Sequence, residues 1–349
     1  MTTPRYQWQP TTSEIAAMAG IEPDQVIRFD HNTSPFATPW ALDALSGAAA
    51  SLNEYPEANY HTLRTAAAAM TGLAPGQIVP GAGVDELILL CARAFLSTGS
   101  QAVQVTPTYP LYRIATAQVG AALDAVASTP PSFAFPTDPV LEAVRHADLV
   151  WLCVPNNPTG TTATEEDIAA VVAASHGLVV IDAAYAEFSE IDWTGAVDRY
   201  PNVIVLRTLS KAFGIAGARV GFAMAHESLI DAFEAVRPPG SVSSLSVSVA
   251  VEALRNPDRV AANVAATVSA RSDLAAKLAA LGWIPLESHT NFVLCDVGPH
   301  AAALSNELMN RGLVVRTFPY EPLTTYIRVT VRTPHQHDRL IEEIRSIQS

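Results

Sequence analysis

Residues 206–222 read LRTLSKAFGIAGARVGF, and the rest of the chain is best read outward from them. The apolar run at 203–206 leads into Thr208, Ser210 and Lys211, glycines follow at 214, 217 and 221, and Arg219 stands between the last two. A strand that ends in hydroxyl side chains with an arginine close behind can hold a phosphate through charge-assisted hydrogen bonds. Glycines let the backbone approach a flat ligand closely. An ordinary Gly-rich connection between two strands would look much the same, so neighbouring stretches have to decide. Lysine is also scarce: of 21 Lys plus Arg, the lysines are Lys211 and Lys277. Lys277 lies in the helical pattern RSDLAAKLAAL, where a solvated face accounts for it. Lys211 lies in a loop of small residues, although a general bias toward arginine would also thin out lysine.

Four more stretches follow apolar runs. PNNPTG, 155–160, comes directly after LVWLCV and puts Asn157 beyond a strand end, where open α/β sheets bind ligands; a Pro/Asn/Gly turn is the plain alternative. Asp182 closes LVVID, with Tyr185 three residues on. A carboxylate there can pair with a protonated ring nitrogen, or simply cap a helix. GAGVDE, 81–86, opens a helical pattern whose first N–H groups form an anion site; Asp85 and Glu86 are equally at home as first-turn charges. Tyr109, in TPTYPLY, can stack on a planar group or pack in a core.

The periodicity predicts helices near 39–52, 60–70, 84–96, 109–118, 139–146 and 164–175, alternating with strands at 102–106, 121–126, 149–154, 178–182, 203–207 and 220–224. Short continuous apolar strands between helices predict an α/β fold with a mostly parallel sheet covered on both faces. Beyond about 240 the texture changes. A long helical stretch, 244–281 with a break near Pro257, precedes strands at 291–296 and 326–331 and helices at 299–311 and 335–347, which reads as a second α+β unit.

The 349 residues are 49% hydrophobic and 16% charged, enough to build a large core. A net charge of −13 argues against nucleic acid as a partner. No apolar run is long enough to span a membrane, and the opening MTTPRYQWQP does not resemble a signal peptide. Cys91, Cys153 and Cys295 are too far apart for a metal or disulfide framework and suit a reducing cytoplasm. His335 and His337 are expected to be solvated at the start of the last helix, and no metal site is expected.

The segments LRTLSKAFGIAGARVGF, PNNPTG and YPEANYHTLR (55–64) together resemble the histidinol-phosphate aminotransferase family of fold-type I pyridoxal 5'-phosphate (PLP) enzymes, and the likeness runs over nearly the whole chain. The resemblance implies a fold-type I PLP-dependent transferase: a large domain with a mostly parallel seven-stranded sheet, residues 36–245, and a smaller α+β domain from 1–35 plus 246–349. It implies that Lys211 carries PLP as a Schiff base and exchanges the Cα proton. Asp182 would pair with the ring nitrogen, Asn157 and Tyr185 would contact the ring hydroxyl, and Tyr109 would stack on the ring. The phosphate would be held by backbone N–H groups of Val84 and Asp85, by Thr208 and Ser210, and by Arg219. Tyr55 resembles the tyrosine that reaches the phosphate of a neighbouring subunit, which implies a homodimer with shared sites. Arg328 in YIRVTV and Arg316 in LVVR resemble substrate-anion arginines, and Asn32 in HNTSP an asparagine of the substrate side.

Four positions depart from the family pattern. Ala183 replaces an acidic residue, Thr33 and Ser34 stand where Glu and Asn are usual, and Arg332 replaces a small residue, either adding charge near the substrate or pointing to solvent. The implied reaction passes an amino group from a histidinol phosphate-like or aromatic donor to a 2-oxo acid, 2-oxoglutarate above all. The alternatives are a threonine-phosphate decarboxylase-like lyase and a PLP-binding protein without turnover.

Overall fold

The computed structural model describes Tyr6 and residues 8–349. The expectations placed on residues 1–5 and Gln7, the first part of the 1–35 segment and of the leader reading, lie outside the described residues.

Seven strands form the main sheet: β1 Ile78–Gly81, β2 Gln101–Thr106, β3 Ala122–Ala127, β4 Leu149–Cys153, β5 Leu178–Asp182, β6 Val203–Thr208 and β7 Gly221–Ala225. Their order is β1-β7-β6-β5-β4-β2-β3. β7 runs antiparallel to both its neighbours, and the other pairs are parallel. The alternation inside each strand explains the unbroken apolar runs. Val179 and Ile181 of β5 enter one core with Val203 and Val205 of β6, while Val180, Ile204 and Leu206 enter the core on the opposite face. Both faces of these two central strands are covered, which is why Val179–Ile181 and Val203–Leu206 are apolar throughout.

Some helix ends are set by local caps. Thr164 accepts from Asp167 N, and Asp167 reaches back to Thr164 N, a capping box that starts Glu165–Ala174. Helix His61–Thr71 stops at Gly72, in the left-handed region at φ 77°. Helix Ser244–Leu254 lays Val249, Ala250 and Leu254 into the first of the two cores.

A second sheet holds β8 Ile284–Pro285, β9 Phe292–Asp296, β10 Arg316–Thr317 and β11 Tyr326–Thr330, in the order β10-β11-β9-β8. Its core joins Val293, Cys295, Ile327 and Val329 to Leu274 and Leu278 of helix Pro257–Ala279, to Leu340 and Ile344 of helix Pro334–Gln348, and to Ile27 and Phe29. The N-terminal segment therefore packs with the C-terminal end of the chain.

Among the elements beyond the sequence expectations are helix Thr12–Ala19, strand β1, helix Glu227–Val236 and the short strands β8 and β10. Two side chains correct them. His337 is not solvated but fully buried, because its helix turns that face into the core and Nε2 accepts the Arg332 N–H at 2.8 Å. Lys277 does not simply face solvent: its ammonium pairs with Asp273 at 2.8 Å and Asp338 at 2.6 Å, tying two helices.

Candidate active site

The parallel strands β2, β4, β5 and β6 end on one edge of the sheet, so the stretches that follow them, carrying Tyr109, Asn157, Tyr185 and Lys211, leave the sheet on one side. β7 runs the other way, and its start pairs Gly221 with Thr208, which brings Arg219 to the same edge. β1 ends at Gly81, opposite Gly221, and the helix Gly83–Phe95 starts there.

That helix start builds an anion site. Its first N–H groups have no intrahelical acceptor. Arg219 lies beside it in the left-handed region, φ 51°, and donates through Nη2 to Asp85 Oδ2 at 2.9 Å and through Nη1 to Ser210 Oγ at 3.4 Å. Thr208 Oγ1 accepts from Ser210 N at 3.1 Å. Two glycines keep the cradle open. A Cβ on Gly83, itself at φ +79°, would sit 2.6 Å from Arg219 Nη2, and one on Gly221 would sit 2.8 Å from Arg207 O and 3.1 Å from Val84 N. The Arg219 side chain is about half exposed, so an incoming anion can reach it.

Asp182 is buried at the end of β5. Burial raises its carboxyl to about 6, while hydrogen bonds from the Tyr112 hydroxyl at 2.6 Å and Ala184 N at 3.1 Å pull the other way. Tyr112 is itself buried and stacks on Trp151, centroids 5.3 Å apart and 13° from parallel. One turn earlier on the same segment, Tyr109 donates to Asp85 Oδ1 at 2.8 Å. Neither Tyr112 nor the Asp85 carboxylate was singled out as a site group from the sequence; the spacing Tyr109-x-x-Tyr112, one helical turn, is the signal that could have found the first.

Lys211 is half-buried, and its ammonium lies 5.8 Å from the Tyr185 ring centroid. Burial, then the charges of Arg328 and Arg219, lower its amine to about 8, against the opposing pull of Asp85 and Asp182. Arg328, buried on β11, donates to Asn157 Oδ1 and, at 2.7 Å, to Asp30 O. Its Nε finds no hydrogen-bond partner among the described residues. Arg316 pairs directly with Arg328 across β10 and β11, so both side chains rise from the same face. Asn32, buried and at φ 51°, donates from Nδ2 to Tyr185 Oη at 3.0 Å and accepts from Thr330 Oγ1 at 3.1 Å. Its side chain is thereby turned to Tyr185 and Thr330.

Two residues lie apart. Tyr55 is 95% exposed and makes no side-chain hydrogen bond to this cluster among the described residues. Arg332 neither joins the site's arginines nor points to solvent; its guanidinium is bonded to the backbone of residues 28–34. Within PNNPTG the two asparagines divide the work: Asn156 holds the loop through Pro107 O, Thr108 and Thr159, leaving Asn157 for Arg328.

The donor set fits PLP. A helix start with a half-exposed arginine and two hydroxyls suits a phosphate, a buried carboxylate suits a pyridinium, and a desolvated lysine suits a carbonyl carbon. Among the described residues there is no group of three or more His, Cys, Asp and Glu side chains able to hold a metal.

Known proteins resemble this chain along most of its length. The family model for aminotransferase class I and II matches residues 24–344. A histidinol-phosphate aminotransferase from Methanococcoides burtonii is 33% identical over 96% of this chain and 93% of its own length. One from Symbiobacterium thermophilum is 34% identical over 92% and 90%. The crystal structure of histidinol-phosphate aminotransferase from Sinorhizobium meliloti in complex with pyridoxal-5'-phosphate superposes with a TM-score of 0.89, at 29% identity, over 98% of this chain and 96% of that one.

Proposed function

The chain belongs to the aminotransferase class I and II family, and from that premise we propose which groups it transfers and which residues do the work. It is a PLP-dependent aminotransferase. The proposed donor is an amine bearing an anionic group, of the histidinol-phosphate or aromatic amino-acid class, and the proposed acceptor is 2-oxoglutarate.

Bound PLP supplies an electron sink for the bond broken at the donor's Cα. Asp182 keeps the proton on the ring nitrogen. Tyr109 covers a ring face, and Asn157 and Tyr185 hold the ring hydroxyl. The phosphate goes to the N–H groups of Val84 and Asp85, to Thr208, Ser210 and Arg219, and to Tyr55 of a second copy in a homodimer. With its amine lowered to about 8, Lys211 carries a usable neutral fraction near neutral pH, takes the Cα proton and returns it. Arg328, whose Nε has no partner among the described residues, binds the donor's anionic group, Arg316 adds charge on the same face, and Asn32 acts through Tyr185. We also propose the two-part division expected from the sequence, with the cytoplasm as the setting; the packing of Ile27 and Phe29 with the core of the second sheet supports joining 1–35 to the C-terminal part.

The observation that carries the reading is the meeting of three successive strand ends: Lys211 beside the Tyr185 ring after β6, buried Asp182 under the Tyr112 hydroxyl at the end of β5, and Asn157, bonded to buried Arg328, after β4. The test is the visible spectrum of purified wild type and Lys211→Ala during titration with single donors, histidinol phosphate and phenylalanine first. Conversion of the bound cofactor's band by one donor, with a keto product formed, supports the proposal and names the donor class. Release of CO2 without a keto product, or full turnover by Lys211→Ala, would refute it.

A further inference from the structure

Residues 28–34 form a strap between the second sheet and the site. Phe29 N donates to Val314 O and Phe29 O accepts from Thr330 N, both at 2.7 Å. Arg28 braces the strap from within, donating to both oxygens of Asp30 at 2.9 and 2.7 Å. The strap delivers two groups inward. Asp30 O accepts from Arg328 Nη2, and Asn32 Nδ2 donates to Tyr185 Oη. Asn32 sits in the left-handed region, φ 51°, which asparagine enters more readily than most residues, and its bonds to Tyr185 and Thr330 depend on the strap keeping its place.

Arg332 supplies much of that hold. Its Nε donates to Arg28 O at 2.9 Å, and its Nη2 donates to the same carbonyl and to Thr33 Oγ1 at 3.0 Å. Nη1 lies 3.4 Å from both Thr33 O and Ser34 O. One planar head thus grips both ends of the strap. A guanidinium, with five donors in a fixed fork, can do this and an ammonium cannot. The base of the clamp is fixed in turn, because the Arg332 N–H donates to buried His337.

We propose that Arg332 is a positioning residue: it locks residues 28–34 and thereby sets the Arg328 guanidinium and the Tyr185 hydroxyl for the reaction. It touches neither donor nor cofactor. The effect on Tyr185 is read through bound PLP and so rests on the functional reading above; the effect on the strap does not.

The experiment compares wild type, Arg332→Ala, Arg332→Lys and Thr33→Val in two ways. The first is amide hydrogen exchange of the segment 28–34 in cofactor-free protein. Losing several charge-assisted hydrogen bonds should speed exchange there by about tenfold or more in Arg332→Ala, less in Arg332→Lys and least in Thr33→Val, with β4 to β6 unchanged. The second is the pH midpoint of the bound cofactor's visible band. A loosened Tyr185 donates less well to the ring oxygen, so the midpoint should rise by about half a unit in Arg332→Ala and by less in Arg332→Lys. Unchanged exchange in the strap overturns the proposal, and so does faster exchange with an unmoved midpoint, since Arg332 would then be structural only. If Arg332→Ala does not fold, Arg332→Lys and Thr33→Val carry the same two comparisons. A wild type that shows no cofactor band sinks the functional reading instead, and the exchange data still judge the clamp.

Discussion

Replacing Tyr112 by Phe removes one oxygen and leaves the ring on Trp151. In the wild type, Asp182 titrates near 6 because burial raises it while the Tyr112 hydroxyl, at 2.6 Å, and Ala184 N, at 3.1 Å, stabilise its charged form. A hydrogen bond to a charged group contributes about 1.5–3 kcal/mol, and about 1.4 kcal/mol is one pH unit. Tyr112→Phe should therefore raise the Asp182 carboxyl by about one to two units. The other ionisable groups around it are Cys91, Cys153, Asp85, Tyr185 and Lys211, and the substitution leaves them in place. PLP affinity of the cofactor-free protein reports the shift, because in the proposed site an ionised Asp182 would be the partner of the ring nitrogen. The ligand's own titrations are common to both proteins and cancel in the ratio of their Kd values. That ratio should stay near one at high pH, where both carboxylates are ionised. It should climb as pH falls and level off at roughly ten- to hundredfold below pH 6. A ratio that is flat across pH would refute the reasoning, since a packing defect weakens binding at every pH alike.

Three further outcomes follow from the same geometry. Arg328→Lys loses the fork that spans Asn157 and Asp30 O, so KM for an anionic donor should rise by about ten- to hundredfold with the cofactor spectrum unchanged; an equal loss in kcat alone would contradict this. Burial holds His337 down to about 4, so the unfolded chain takes up the proton first as pH falls below 6.5, and stability should be lost from there toward pH 4, by about 2–3 kcal/mol. Urea unfolding of His337→Gln should lack that part of the acid slope, and parallel slopes would disprove the assignment. Tyr55→Phe should leave the thermal midpoint unchanged, since the side chain is 95% exposed, yet weaken PLP binding several-fold if a second copy uses it; unchanged affinity removes Tyr55 from the site.

Most of the helices and the longer strands were legible because local chemistry defines them: apolar runs of strand length, Ser or Thr caps, glycine stops. The exceptions have particular causes. Helix Glu227–Val236 is capped by His226, whose ring nitrogen accepts from Ser228 N in place of the usual hydroxyl or carboxylate. β1 is four residues long and contains Pro80, and it is a strand because Gly221–Ala225 lies alongside it. His337 looked like a solvated residue at a helix start, and only the packing of helix Pro334–Gln348 on the second sheet buries it.

By itself the sequence determined the fold class, the cofactor and the family, because the contiguous stretches around Lys211, Asn157 and Asp182, each open to a plain reading alone, together resemble one family's pattern. What only the tertiary structure decided are the pairings between residues far apart in the chain. Tyr112 meets Asp182 across 70 positions, Arg328 meets Asn157 across 171, and Arg332 grips residues some 300 positions before it. The physical reason is that an isolated Tyr or Arg has the same chemistry at any position. Its role is set by which buried acceptor the fold brings within hydrogen-bond reach, and that depends on the order of strands in the sheet and on where the chain's two ends pack together.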